Sequence, residues 1–313
     1  MASYLTKRLL STILVMTLVG IFVFMLLHFS AGDPAAIIAG DYATPQQIEA
    51  IRKRLGLDDP LIVQFWRWAS RVVQGDLGVS IFSNTPVSTL ILQRLEPTVS
   101  LALLTMGFAV CVAVTLGVIA AWRAGSAIDR SLMGFSVLGF SMPAFVVGYV
   151  LIYIFAIELR WLPVQGYRSI ADGVGPWFMH LVLPTLTLGL SYVALIARMT
   201  RASMMDVLEE DYIRTARAKG VANRTMLMRH ALKNAGVPII TVIGIGVALL
   251  IGGVVITETV FNIPGIGRLV VDAISKRDYP IIQGVILLFS GIYVLVNLLV
   301  DLSYTLIDPR IRY

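Results

Sequence analysis

The chain has 313 residues, of which 57% are hydrophobic and 14% charged, with a mean hydropathy of +0.82 and a net charge of +6. Ordinary soluble domains carry about 25% charged residues, so this composition excludes a soluble domain and marks an integral membrane protein. Cys111 is the single cysteine, which excludes an internal disulfide and a Cys-based metal centre.

A hydrocarbon layer about 30 Å thick needs about 20 apolar residues per helix, because each residue rises about 1.5 Å. Six runs meet that length, near residues 9–29, 97–122, 131–157, 178–200, 235–258 and 281–305. Each satisfies its backbone hydrogen bonds internally only as a helix, so the expected fold is all-α and polytopic. The first run follows Lys7 and Arg8 and is too long for a signal-peptide core. No convincing small-x-small cleavage site follows it, so it reads as an uncleaved first span.

Residues 31–95 are the one large segment outside the runs, and they read as short helices. Thr44-Pro45-Gln46-Gln47 has the form of a capping box with Pro at the first helical position. Ile48, Ile51 and Leu55 give one apolar face, and Gly56 closes the helix. A second helix is expected from Asp59-Pro60 through Phe65, Trp66, Trp68 and Val72 to Gly75. Its tryptophans suit a membrane interface or a docking face for an external partner, and the two are compatible.

Within the spans, small residues recur at four-residue spacing: Ala113, Gly117 and Ala121 in the second, Gly244, Ala248 and Gly252 in the fifth. Such stripes let helices approach closely. Cys111 is expected to pack inside. Asp301, on one helical face with Asn297 and Tyr304, is expected to pair with a neighbouring cation, and Glu158 and Glu258 are expected to reach water at helix ends. His28, His180 and His230 are scattered over separate segments, which argues against a metal site.

Lysine and arginine set the orientation. With a cytoplasmic N-terminus, the inner segments hold Lys7, Arg8, Arg123, Arg130, Arg198, Arg201, the cluster from Arg214 to Lys233, Arg310 and Arg312. The short outer loops hold Arg160, Arg168, Arg268, Lys276 and Arg277. Both termini are therefore expected in the cytoplasm, and the positive charge is accounted for without nucleic acid. No G-x-x-x-x-G-K-[ST], H-E-x-x-H or G-x-S-x-G occurs, so neither a phosphate loop nor a familiar catalytic set is present.

Between the fourth and fifth runs, residues 203–232 read as two short basic helices broken at Gly220. Ile213, Ala216, Arg217 and Gly220 repeat at helical spacing in the first, and Met226, Leu227, His230 and Ala231 in the second. "RTARAKG" at 214–220 resembles the EAA loop of binding-protein-dependent ABC importer permeases. Ala216 and Gly220 match the general pattern, whereas Arg214 and Thr215 stand where it has Glu and Ala, and His230 and Lys233 replace its later Ile and Pro. Those departures resemble the dipeptide, oligopeptide, nickel and glutathione branch. "KRLL" before the first span, "AGDPA" at 31–35, "RLGLDDPL" at 54–61, "GDLGVS" at 75–80, "FNIPGIGRL" at 261–269, "RDYPIIQG" at 277–284 and the ending "DPRIRY" resemble it too.

The resemblance implies a type I importer permease (MetI-like) architecture. Its parts are a first transmembrane helix (1–30), a periplasmic helical insertion (31–95) and a five-helix core (96–313) with coupling helices at about 203–232. It implies a peptide importer subunit of the bacterial inner membrane, working by alternating access with a second homologous permease, one or two cytoplasmic ATPases and a periplasmic or lipid-anchored substrate-binding protein. No cofactor is expected on this chain, ATP and Mg belonging to the ATPases. Asp211, Tyr212, Arg214, Ala216, Arg217 and Gly220 are the expected ATPase contacts. Asn262, Pro264, Gly265 and Arg268 are expected at the periplasmic mouth, against the binding protein. The rival reading, a stand-alone secondary transporter or channel, requires a mid-membrane ion-coupling carboxylate or an inverted repeat, and neither is visible.

Overall fold

A computed structural model describes residues 2–29, 35–36 and 43–307, so most of "AGDPA" and the terminal "DPRIRY" lie outside the described residues. The elements are α1 (Ala2–Phe29), α2 (Pro45–Leu55), α3 (Leu61–Val73), α4 (Val87–Trp122), α5 (Ala127–Ser141), α6 (Ala144–Leu151), α7 (Val174–Leu208), α8 (Asp211–Ala218), α9 (Asn223–Thr225), α10 (Leu232–Asn234), α11 (Gly236–Val260), α12 (Ile266–Lys276) and α13 (Tyr279–Ile307). A π-helical segment, Ile152–Glu158, continues α6, and another, Met226–Ala231, joins α9 to α10. The helices α1, α4, α7, α11 and α13 are long and apolar enough to cross a bilayer, and α5 with α6 supplies a sixth crossing if the pair counts as one span.

The third run is expected as one helix and is found as two, bent by 106° between Gly139 and Ala144. The cause lies in the sequence at Met142-Pro143. A proline disfavours helical backbone at the residue before it, and Met142 is extended (φ −92°, ψ 125°). The fourth run is longer than expected: α7 continues to Leu208, and at about 1.5 Å per residue its 35 residues span roughly 50 Å, well beyond the hydrocarbon.

The chain forms two units. In the first, residues 1–95 with 269–294, the Thr44 capping box is complete and Gly56 closes α2 at φ +65°. The α3 face is divided: Phe65 meets Phe24 of α1 edge to face and Trp68 lies tilted against it, at 5.5 and 5.7 Å between ring centroids, while Trp66 is 65% exposed. In "RDYPIIQG", Asp278 is buried and accepts hydrogen bonds from Ser80 Oγ (2.6 Å) and Ile81 N–H (3.3 Å), and Gln283 donates to the Val23 carbonyl (3.0 Å).

The second unit, residues 96–268 with 295–313, holds a core around Leu101, Leu181, Leu183 and Ile196. The small-residue stripe of α4 packs as expected: Ala113 and Ala121 are buried, and a Cβ at Gly117 would lie 2.6 Å from Thr200 Cβ and 2.8 Å from the Ala197 carbonyl oxygen. Cys111, expected inside, is exposed. Two residues from Ala113, it lies about 200° round the helix from that stripe. In α11 the close contacts fall at Gly244, against Val300, and at Gly253, against Leu188, whereas Gly252 meets nothing. The buried Asp129 of α5 is paired with Arg201 of α7.

Gly117→Val should cost about 1–3 kcal/mol by overpacking a backbone that cannot retreat, seen as a lower Tm of the detergent-purified protein. Gly252→Ala, with open space round the added methyl, should not lower that Tm.

Candidate functional site

Two regions carry the expected site residues, and both belong to the second unit. The first is the elbow between α7 and α11. Helix α8 begins after Glu210 with Asp211 in its first turn and Arg217 in its last, charges that favour the helix dipole at both ends. Ile213 is fully buried among Val118, Ala121, Met204, Met226, Ala231, Ala235 and Ile239. One side chain thus fastens α8 to the ends of α4, α7 and α11.

The other face of α8 is open. Asp211, Tyr212, Arg214, Arg217 and Gly220 are exposed, and Ala216 is half-buried. Tyr212 Oη accepts from Asn234 Nδ2 at 2.8 Å, which ties α8 to α10. The Arg217 guanidinium lies 5.9 Å from the centre of the Trp122 ring, within cation–π range. Arg214 and Asp211 stand 3.5 Å apart, but both are well exposed and such pairs contribute little. Gly220 adopts φ +76° with no neighbour within 4 Å of a built Cβ, so the turn demands its backbone freedom and not its small size. The elbow proper starts at Glu209, six residues later than expected, because α7 absorbs residues 203–208.

The second region lies at the far end of α11. That helix has 25 residues, about 38 Å at its usual rise, so its two ends reach opposite faces of the hydrocarbon. Phe261, Ile263 and Ile266 are buried, while Asn262 and Pro264 are exposed and Arg268 is half-buried. Asn262 takes a left-handed backbone (φ +53°), which asparagine tolerates better than most residues. Its side-chain oxygen accepts from the Arg268 guanidinium.

Beneath this loop sits Glu258, expected to be hydrated and found fully buried. Its Oε1 accepts from Thr98 Oγ1 at 2.6 Å and its Oε2 from the Arg268 backbone N–H at 2.9 Å, while Thr98 Oγ1 itself accepts from Ile266 N–H at 2.8 Å. A carboxylate at the N-terminus of α12 meets the positive end of that helix and its unpaired N–H groups. Gly265, expected to face a partner, faces inward: a Cβ there would collide with the Glu258 carboxylate. Gly267 is equally constrained, its Cβ falling 2.6 Å from Val255 Cα. Two glycines two residues apart at a helix start signal such a close backbone approach, and that signal could have drawn attention to the acidic residue just upstream.

A neighbouring loop braces the same region. Gln165 Nε2 donates to the Val260 carbonyl (3.1 Å) and Gly166 N–H to that of Phe261 (2.8 Å). Glu96 gathers Tyr167 Oη (2.9 Å), Ser169 Oγ (2.9 Å) and Ile170 N–H (2.9 Å). Burial, opposed by the Ser100 hydroxyl and aided by Glu96, holds the Tyr167 phenol above its ordinary value. Among the described residues, no group of three or more His, Cys, Asp and Glu side chains could hold a metal ion.

Gly220→Ala should cost about 1–2 kcal/mol through left-handed backbone strain alone. Gly265→Ala, which also displaces the Glu258 carboxylate, should lower the Tm of the purified protein further than Gly220→Ala does.

Residues 113–313 match the family described as binding-protein-dependent transport system inner membrane component, and residues 1–102 match the N-terminal family of the same membrane components. A probable peptide ABC transporter permease protein, y4tP of Sinorhizobium fredii, is 64% identical over 313 residues, all of both chains. The glutathione transport system permease protein GsiC of Escherichia coli (strain K12) is 47% identical over 314 residues, again covering both chains fully. Among solved structures, the inward-facing MetNI methionine ABC transporter, in its CY5 native crystal form, aligns with a TM-score of 0.57 at 15% identity, covering 70% of this chain and 96% of that one. At that identity the likeness concerns the fold alone.

Proposed function

Since the chain belongs to the family of inner membrane components of binding-protein-dependent transport systems, we propose that it is the permease through which peptides, glutathione-like tripeptides included, enter the cell by alternating access. It is a multi-pass ABC permease subunit with the MetI-like fold. The peptide substrate is supported by relatives named for peptide and glutathione transport that align over the full chain. Selectivity then rests largely with the protein that delivers the substrate.

The observation that carries the mechanism is the two-faced α8. Its inner face is fixed by the buried Ile213, and its outer face presents Asp211, Tyr212, Arg214 and Arg217 to a partner. A short helix fastened to three long ones moves them as a rigid body when it is pushed. The partner is a cytoplasmic ATPase, one or two copies per transporter, which supplies ATP and Mg. Arginine forks on the outer face suit carboxylates on that subunit. A second permease of the same fold completes the pathway. The excess of basic residues on the elbow side supports cytoplasmic termini, and on that reading Asn262, Pro264 and Arg268 lie outside, where the binding protein docks.

Arg217→Glu should reduce uptake and binding-protein-stimulated ATP hydrolysis by at least about tenfold, the scale of a reversed interfacial charge. The amount of chain in the membrane should stay unchanged, because Arg217 lies on the exposed face. The measurement is transport into proteoliposomes holding the complete assembly. Normal uptake by this variant, or gradient-driven uptake by the chain without any ATPase, would refute the coupling role.

A further inference from the structure

We propose that Glu258 is a positioning residue: with Thr98 it fixes the loop 262–268 as a rigid surface on which Asn262 and Arg268 receive a carboxylate-bearing patch of the binding protein. The inference rests on the docking role given above to this loop, and it assigns that role a source of rigidity.

The loop is held at both ends. Asn262 and Pro264 are exposed, and the backbone turns through a left-handed residue. Phe261, Ile263 and Ile266 anchor it by burial, Gly166 N–H holds the Phe261 carbonyl at its start, and the buried Glu258 carboxylate holds its far end from beneath. That carboxylate joins three elements. It belongs to α11, accepts a hydrogen bond from the Thr98 hydroxyl of α4, and accepts another from the Arg268 N–H in the first turn of α12. Thr98 closes the circuit by accepting from Ile266 N–H. Arg268 is therefore held twice, its backbone by Glu258 and its guanidinium by Asn262. A cation restrained at both ends is presented in one orientation, and a preorganised interface loses less freedom on binding than a mobile one.

The glycines agree with this reading. Gly265 and Gly267 let the loop backbone close over the carboxylate, and a side chain at Gly265 would occupy its place. A buried carboxylate is costly unless its oxygens are satisfied, so the circuit has one low-energy arrangement and the loop above it inherits that arrangement. Helix α11 also leads directly from α10 of the elbow. The same rod that carries movement from the elbow thus ends on the pin that sets the loop.

The test uses the complete transporter in proteoliposomes, with ATP hydrolysis measured against binding-protein concentration. Thr98→Val keeps the side-chain shape but removes both hydrogen bonds, and Thr98→Ser keeps the hydroxyl. Thr98→Val and Glu258→Gln should each raise the half-saturating concentration up to about tenfold, the scale of ordering a loosened interface side chain on binding, with the maximal rate within about twofold. Thr98→Ser should restore the parental value, and the double variant should be no worse than the poorer single one, because both break one circuit. Asn262→Ala and Arg268→Ala test the underlying reading. If these two leave half-saturation unchanged, the loop is not a docking surface. If they raise it while Thr98→Val and Glu258→Gln do not, the docking reading stands and the positioning role is overturned. A fall in maximal rate and membrane abundance with unchanged half-saturation would likewise reduce Glu258 to a folding role and overturn the proposal.

Discussion

Hydrocarbon offers no hydrogen bonds, and that single property orders this protein. A polar group placed at membrane depth must find its partner within the chain. The buried carboxylates Asp129, Asp278 and Glu258 accordingly accept hydrogen bonds from within the chain. Asp129 has Arg201, and Glu258 has Thr98 and the first turn of α12. The long helices carry little polar chemistry of their own and act as stiff connectors between two polar terminals.

Stiffness without attachment transmits nothing, and the attachments here are small. Ile213 enters a pocket built from α4, α7 and the residues around Ala231. Gly117 brings α4 against α7 closely enough that backbone meets side chain. Since dispersion falls off steeply with distance, these close approaches hold the core helices together where the hydrophobic effect does not act between them. The exposed face of α8 can then vary in chemistry without loosening its seat.

Much of this was legible in the sequence, because the signals were local. The Thr44 capping box, the break at Gly220, the α4 stripe and the span positions all follow from short-range rules about caps, turns and periodicity. The permease resemblance, carried by the basic segment and the motifs that accompany it, rests on local signals too. What escaped depended on contacts between residues distant in the chain. Glu258 reads as a helix-end acid until Thr98, 160 positions away, is brought beside it. Gly265 reads as a surface turn until that acid appears beneath it. The bend at Met142-Pro143 was local and was missed only because an uninterrupted apolar count outweighed one proline.

The π-helical stretch at Met226–Ala231 has a further consequence. A π turn holds one residue more than an α turn, so it behaves as an insertion frozen into the helix, advancing the angular phase of everything after it by about 100°. The short α10 starts from that advanced phase, and Asn234 on it meets the Tyr212 hydroxyl of α8. Elbow length is therefore a rotary setting as well as a spacing. Removing a single residue there would leave an ordinary α turn and swing α10 about 100° round its axis, carrying Asn234 away from the Tyr212 hydroxyl like a mis-set dial.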